Sequence, residues 1–225
     1  MIGLSINSAG KVLSIAITDN DNTLYLYEAP ERRDQGNKLI THISKGLESC
    51  GRKYSDIGFM GVVTGPGSFT GIRVGIAAVR GIAISLKVPV VGVSAFDLFA
   101  APTAGKINMI AIESWRSELY FAFRNEQGKD VFEPINVLPE ELKVYLQNNN
   151  IDARQLIVSG DAAENLKTVF SDSAFLINDN INAKTVAKLA LEKINSVEAI
   201  IKPVPYYLRS ADITLSNKVQ RKIAD

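Results

Sequence analysis

At 225 residues the chain is long enough to bury a sizeable core, either as one large domain or as two smaller lobes. A hydrophobic content of 46% with 22% charged residues is typical of a folded globular protein and excludes a disordered one. Because 25 Lys and Arg residues nearly balance 24 Asp and Glu, the net charge of +1 argues against tight, autonomous nucleic-acid binding.

Cysteine usage and hydropathy exclude further classes. Cys50 is the only cysteine, so the chain can form neither an intrachain disulfide nor a cysteine-based metal cluster. The first residues lack a basic segment and are interrupted by Asn7, Ser8 and Gly10, which argues against a signal peptide. No uncharged apolar run reaches the roughly 18 residues of a membrane span, so we expect no membrane contact and a cytoplasmic location.

The first half of the chain predicts three strands followed by alternating helices and strands. Polar turn residues separate the three β-like runs, and apolar residues then recur at helical spacing up to Gly51. The predicted strands cover residues 2–7, 12–18, 23–29, 57–63 and 89–94, and the predicted helices cover about 39–47, 68–86 and 95–100.

The second half repeats this order. Its predicted strands cover residues 107–112, 118–124, 131–138, 155–160 and 174–178, and its predicted helices cover 139–147, 162–170 and 183–194. Each half therefore reads βββαβα, with extra elements at the end of the second. We predict an α/β protein with an N-terminal lobe at residues 1–104 and a C-terminal lobe at residues 105–225.

The stretch TGPGSFTGIRVG, residues 64–75, joins a predicted strand to a predicted helix, as phosphate-binding loops do. It is not a Walker A loop, because it contains no lysine. It is not a G-x-G-x-x-G fingerprint either, because the third glycine would fall at Thr70. Ser68 or Thr70 is expected to cap the helix that follows.

The glycines of this stretch repeat every four residues. On a helix they line one face and let another backbone come close. The helix also has one apolar stripe, made of Ile72, Ile76, Val79, Ala83 and Leu86. Further apolar residues point elsewhere, so the helix needs cover beyond one sheet; they are Val74, Ala78, Ile82 and Ile84. Three interpretations stay open: a central helix covered within the chain, an anion site at its N-terminus, or a protein interface. The predicted interface comprises Gly67, Ser68, Phe69, Thr70, Gly71, Arg73, Val74, Gly75, Ala78 and Ile82.

Two halves that read βββαβα resemble the layout of the actin-like ATPase superfamily (ASKHA, ribonuclease H-like fold). Within it, GPGSFTGIRVGIAAVRGIA, residues 65–83, is very similar to the signature of the TsaB (YeaZ) family. The resemblance covers essentially the whole chain. Other segments agree in order: LSINSAG, VGVSAFDLFA, ELYFAF and PYYLR.

The resemblance implies an accessory subunit in bacterial synthesis of threonylcarbamoyladenosine at adenosine 37 of tRNA. Such a subunit pairs with the catalytic protein TsaD, which is expected to carry the ATP and the metal, and TsaE joins them in a ternary complex. It implies a homodimer in isolation, contact with tRNA only through the complex, and no catalytic residue, metal or cofactor on this chain alone. It also favours the interface interpretation of the ten residues above.

The resemblance to actin-like proteins directs attention to the end of the first strand. There the superfamily carries an Asp that holds Mg²⁺ through water, beside a hairpin whose N–H groups face the phosphates. Here Asn7 and Ser8 occupy that position, and a neutral amide cannot offset the metal charge. We predict a degenerate phosphate loop. In the second half the nearest acid–glycine loop is VSGDAAENL, where we expect Asp161 to be a helix N-cap.

Two segments depart from the family pattern, and a third, at the end of the chain, is basic. Gln35 stands where the family often has His, and IESWRSELY stands for IDARRGEVY, with changes at Glu113, Trp115 and Ser117. The effect of these changes on docking to TsaD is open. The basic tail KVQRK is expected to be a solvated terminus rather than an RNA contact.

The expected function is therefore a non-catalytic subunit that binds and activates TsaD. The alternative is an autonomous ATP-dependent small-molecule kinase or ATPase of the same fold, which rests on fold analogy alone.

Overall fold

The computed structural model describes residues 1–29, 35–101, 103–177, 182–196 and 202–209. The side chain of Gln35 and the basic tail at residues 218–222 lie outside the described residues. The strands are Ile2–Asn7 (β1), Leu13–Asp19 (β2), Asn22–Ala29 (β3), Ile57–Gly65 (β4), Val90–Ser94 (β5), Ile107–Glu113 (β6), Leu119–Arg124 (β7), Asp130–Val137 (β8), Leu156–Ser159 (β9) and Ala174–Phe175 (β10). The α-helices are Gln35–Ser49 (α1), Phe69–Leu86 (α2), Ala95–Leu98 (α3), Pro139–Asn148 (α4) and Ala183–Asn195 (α5).

The strands form two sheets with the same topology. The first has the order β3-β2-β1-β4-β5 and the second the order β8-β7-β6-β9-β10. In each, the first strand pairs antiparallel with the second and parallel with the fourth. The predicted α/β class with two βββαβα lobes is confirmed. We call the first sheet with α1, α2 and α3 the first lobe, and the second sheet with α4 the second lobe.

One predicted helix and one predicted strand are wrong in extent. Residues 162–170 form only a short 3₁₀ turn at Ala163–Leu166, and the last strand keeps two residues. The β-branched residues Thr168 and Val169 weaken the helix at this point. Phe170, which follows them, is 4% exposed and packs into the core of the second lobe.

Helix α2 lies against the middle of the first sheet. Ile72, Ile76 and Val79 lie on the face that enters the first core, as the predicted apolar stripe required. The helix is long and apolar enough to pass a membrane-span test by length and composition. It also carries Arg73 and Arg80, both exposed, and packs on β4, so we interpret it as a core helix.

Helix α5 belongs to the second half of the chain but packs on the first sheet. Its first residue, Ala183, donates its N–H to Ser14 Oγ at 2.9 Å. Val186 and Ala190 lie opposite Gly61, which leaves them room because it has no side chain. The next residue, Val62, faces α2, so α2 and α5 cover opposite faces of the sheet. The boundary at residues 104 and 105 stays a prediction, but the first sheet needs α5 to be covered on both sides.

A charged cluster connects the lobes. Asp97 of α3 accepts from Arg124 of β7 at 2.8 Å and from Lys193 of α5 at 2.9 Å. These side chains are only 12–22% exposed, so solvent screens the contacts less than on an open surface. The cluster therefore joins both lobes and α5 at one carboxylate.

We expect Asp97→Ala to lower the free energy of unfolding by about 2 kcal/mol, because it leaves the partly buried Lys193 without its carboxylate and Arg124 with only the more exposed Asp130. Urea unfolding measures the change. Glu164→Ala is the matched control, since its pair with Lys167 is 47–64% exposed and should contribute little. Equal effects of the two substitutions would contradict a connecting role for Asp97.

Candidate functional site

The glycines of α2 are in contact with the turn between β1 and β2. Ser8 donates its hydroxyl to the carbonyl of Gly71 at 2.8 Å, and Ser68 donates its N–H to the carbonyl of Ala9 at 2.8 Å. A Cβ added to Gly71 would overlap the Ser8 carbonyl oxygen, and one added to Gly75 would overlap Ser8 Oγ. The close backbone approach that the four-residue spacing predicts is therefore present.

This contact corrects one part of the interface prediction. Gly67, Gly71 and Gly75 were expected to admit a helix from a partner, but the turn at Ser8 and Ala9 already occupies that face. Gly71 and Gly75 are buried within the chain, so a second backbone cannot approach them. For Gly71 and Gly75 the prediction of a partner contact is therefore wrong, whereas for the half-buried Gly67 it stays a prediction. The spacing alone could not reveal which backbone comes close.

The other predicted interface residues lie on the remaining sides of α2. Ser68 is the N-cap, and its side chain accepts the N–H of Gly71 at 3.3 Å. Thr70 and Arg73 are exposed, and Phe69 is 37% exposed. Half-buried positions follow along the helix at Val74, Ala78 and Ile82. The interface role of these residues stays a prediction.

One exposed apolar residue on α2 was missing from the predicted interface. Ile84 is 76% exposed, the highest value among the large hydrophobic side chains of the described residues. Its position outside the Ile72–Ile76–Val79 stripe was the available sequence signal. On the neighbouring helix α1, Ile40 is 46% exposed. Helix α1 packs beside α2, so two neighbouring helices each expose one large apolar side chain.

The segment at residues 202–209 crosses the N-terminal end of α2. Tyr206 donates its N–H to the Thr64 carbonyl at 2.8 Å. Arg73 donates from Nε to the Tyr207 hydroxyl at 2.8 Å and lies 3.7 Å from the centre of the Phe69 ring. Phe69 therefore neither packs into the core nor stands free, because Arg73 and Tyr207 stack against it.

The turn after β1 carries Asn7 and Ser8, for which the role of a degenerate phosphate loop stays a prediction. Asn7 is 7% exposed, and its Oδ1 accepts the N–H of Ala9 at 3.2 Å. This is the local turn bond that Asn favours at strand ends. The Ser8 hydroxyl donates to the Gly71 carbonyl, so the two side chains stabilise the turn and its packing on α2.

The connection between β6 and β7 of the second lobe lies across the cleft from the β1–β2 turn. Trp115 sits there at φ 58°, and its N–H donates to Glu113 Oε1 at 3.0 Å. The Asp161 carboxylate accepts the N–H of Glu113 at 2.8 Å. The N-cap prediction for Asp161 is wrong, because the cap position of the 3₁₀ turn is Ala162. Burial raises the pKa of Asp161, against the lowering effects of the Glu113 N–H and of Lys11.

Between the lobes lies a cavity of about 270 Å³. It is lined by Asn7, Ala9, Gly10, Lys11, Val12, Val63, Pro66, Ala95, Leu98, Phe99, Ile112, Trp115 and Asp161. The resemblance to the actin-like superfamily implies that Mg²⁺ and a nucleotide would be held at this cleft, next to Asn7.

The residues of the cleft do not fit a magnesium nucleotide. The acid that the superfamily places at the end of β1 is replaced by Asn7, whose Oδ1 is used within its own turn. Trp115 takes up part of the cleft, and the volume lies below the roughly 300–1,000 Å³ of pockets for larger ligands. Within the described ranges, no three His, Cys, Asp or Glu side chains are placed to share a metal ion.

Comparison with known proteins agrees with the geometry. A family model described as "TsaD: tRNA N6-adenosine threonylcarbamoyltransferase" matches residues 31–202. The chain is 25% identical to the tRNA threonylcarbamoyladenosine biosynthesis protein TsaB of Buchnera aphidicola, covering 86% of this chain and 90% of that protein. It is 30% identical to the Escherichia coli TsaB over 56% of each chain.

Two solved structures define the fold. A Bacteroides thetaiotaomicron protein with an actin-like ATPase fold has a TM-score of 0.50 at 11% identity, covering 85% of this chain and 95% of that one. YeaZ from Pseudomonas aeruginosa has a TM-score of 0.69 at 20% identity, covering 92% and 99%. The two lobes thus have the actin-like fold. The chain belongs to the TsaD family of the matching model, in its TsaB (YeaZ) branch.

Proposed function

We propose that the chain is the non-catalytic TsaB-type subunit of the assembly that forms the threonylcarbamoyl group on adenosine 37 of tRNA. The observation that carries the proposal is the family match over most of the chain. The cleft of this chain does not fit a magnesium nucleotide, which agrees with a non-catalytic role. On this proposal the chain acts in the cytoplasm by binding. ATP and metal are held by the TsaD partner, TsaE completes a ternary complex, and tRNA is met only through that complex.

The outward side of α1 and α2 supports a docking role. Ile84 and Ile40 expose apolar surface on neighbouring helices, and the small exposed Ala77 shares the face of Ile84 on α2. Arg73 and Arg80 alternate with Ala77 and Ile84 along this strip of α2, which suits a partner helix that carries both apolar and acidic residues. We propose that TsaD docks here, and that a second copy of the chain covers the same strip in a homodimer when TsaD is absent.

The proposal predicts that threonylcarbamoyladenosine synthesis, reconstituted from TsaD, TsaE, the activated substrate and tRNA, depends on this chain. Ile84→Glu should weaken capture of TsaD about tenfold or more and lower synthesis in parallel, because it places a charge in an apolar interface. Val144→Glu on α4 is the matched control, since Val144 is 56% exposed but lies on the second lobe.

Two results would contradict the proposal. Synthesis that proceeds unchanged without the chain would remove the accessory role. Equal loss of TsaD capture by the Ile84 and Val144 variants would move the docking surface away from α2. Turnover of Mg-ATP by the purified chain would instead favour the alternative, an autonomous kinase or ATPase of the same fold.

A further inference from the structure

The cleft between the lobes brings together two opposite charges from distant parts of the sequence. Lys11 lies in the turn between β1 and β2 of the first lobe, and Asp161 follows β9 of the second. Lys11 is near enough to act on the ionisation of Asp161, yet no ion pair joins them among the described residues. The two groups thus line one cavity without neutralising each other directly.

The wall between these charges is mainly apolar. Val63, Leu98 and Ile112 contribute aliphatic surface, and Phe99 and Trp115 contribute aromatic rings. Asn7 adds a polar group on the Lys11 side. Its Oδ1 is used by Ala9, whereas its Nδ2 donates to no other residue in the part of the chain that the structure describes. A ligand here would meet an anion, a cation with an amide donor, and an apolar wall.

We propose that this cleft binds a small zwitterion, an α-amino acid with a short apolar side chain. The ammonium group faces Asp161, the carboxylate faces Lys11 and the Asn7 amide, and the side chain lies against the apolar wall. A cavity of about 270 Å³ accommodates such a ligand and is small for a nucleotide. The inference does not rest on the accessory role proposed above, since every residue involved lies within this chain.

Such a ligand would contact both lobes at once. Lys11 and Asn7 belong to the first lobe, and Asp161 and Trp115 belong to the second. Binding therefore stabilises the lobe arrangement in which these groups face one cavity, by a free energy that rises with the logarithm of ligand concentration over the dissociation constant.

The test uses Trp115, the only tryptophan of the chain, whose single indole N–H resonance reports on the cleft. L-Valine is the probe, and we expect saturable shifts with a Kd of about 1 mM or tighter. Isobutylamine lacks the carboxylate and isovalerate lacks the ammonium group, so each should bind about tenfold more weakly or not at all.

Two variants test the charges separately. Asp161→Asn keeps the acceptor for the Glu113 N–H but loses the charge, and Lys11→Met keeps the length but loses the ammonium group. Each should weaken L-valine binding about tenfold, whereas the exposed control Asp172→Asn should leave it unchanged. Absence of a saturable shift with L-valine would overturn the proposal, as would equal binding of isobutylamine or isovalerate by the unaltered chain. Unchanged binding by a folded Asp161→Asn protein would also overturn it.

Discussion

Gly71→Ala is expected to lower the free energy of unfolding by about 3 kcal/mol, although alanine is the better helix former by about 1 kcal/mol. The new methyl group would overlap the carbonyl oxygen of Ser8. That oxygen belongs to a backbone turn held on α2 by the Ser8–Gly71 and Ser68–Ala9 hydrogen bonds, so it cannot rotate away as a side chain would. Relief requires the turn and the helix to separate.

The same helix provides the matched control. A Cβ at Gly81 would have no atom within 4 Å, and the position is exposed. Gly81→Ala should therefore raise the free energy of unfolding by about 1 kcal/mol through helix propensity alone. Urea unfolding of the two variants beside the unaltered chain measures both values. If both substitutions stabilise, the turn does not lie on α2 as described.

Asn108→Leu is expected to lower the free energy of unfolding by about 3 kcal/mol, because it removes a buried amide with three partners. Asn108 is 1% exposed. Its Oδ1 accepts the N–H of Ala101, and its Nδ2 donates to the Ile157 carbonyl and to Ser159 Oγ, at 2.9–3.0 Å. The Asn108 side chain thus joins the segment at Ala101, which connects the lobes, to strand β9.

Leucine has a similar volume, so the loss would come from unpaired polar groups rather than from a cavity. Ser159 keeps its bond to the Phe99 carbonyl, whereas the Ala101 N–H loses the partner that Asn108 supplies. Asn165→Leu is the control: this side chain is exposed, and we expect a change within about 0.5 kcal/mol. Chemical unfolding followed by circular dichroism would decide, and equal effects at the two sites would contradict the connecting role of Asn108.

Much of the fold follows from local patterns. Turn residues between short β-like runs predicted the meander β1–β2–β3, and period 3.6 predicted α2 with its stripe at Ile72, Ile76 and Val79. The repeated order βββαβα predicted two sheets of equal topology. The helix predicted at residues 162–170 was wrong in extent, since only a 3₁₀ turn forms at Ala163–Leu166 and the β-branched Thr168 and Val169 follow it.

The candidate site was predictable only in part. The neutral Asn7 and the missing lysine in residues 64–75 already argued against nucleotide binding. The pairing of Asp161 with the Glu113 N–H, and its position opposite Lys11, could not be predicted. These residues are distant in sequence and come together only when the lobes pack, so the periodicity of the local sequence gives no sign of their contact.

The sequence by itself determined that Gly71 and Gly75 permit a close backbone approach, because glycine spacing on a helix is a local property. Only the tertiary structure decided that the approaching backbone is the turn at Ser8 and Ala9. It likewise decided that α5 covers the first sheet rather than its own, since helix–sheet packing depends on apolar surfaces that long-range folding brings together. The local sequence sets which close contacts are sterically possible. Which segments make those contacts depends on how the whole chain packs.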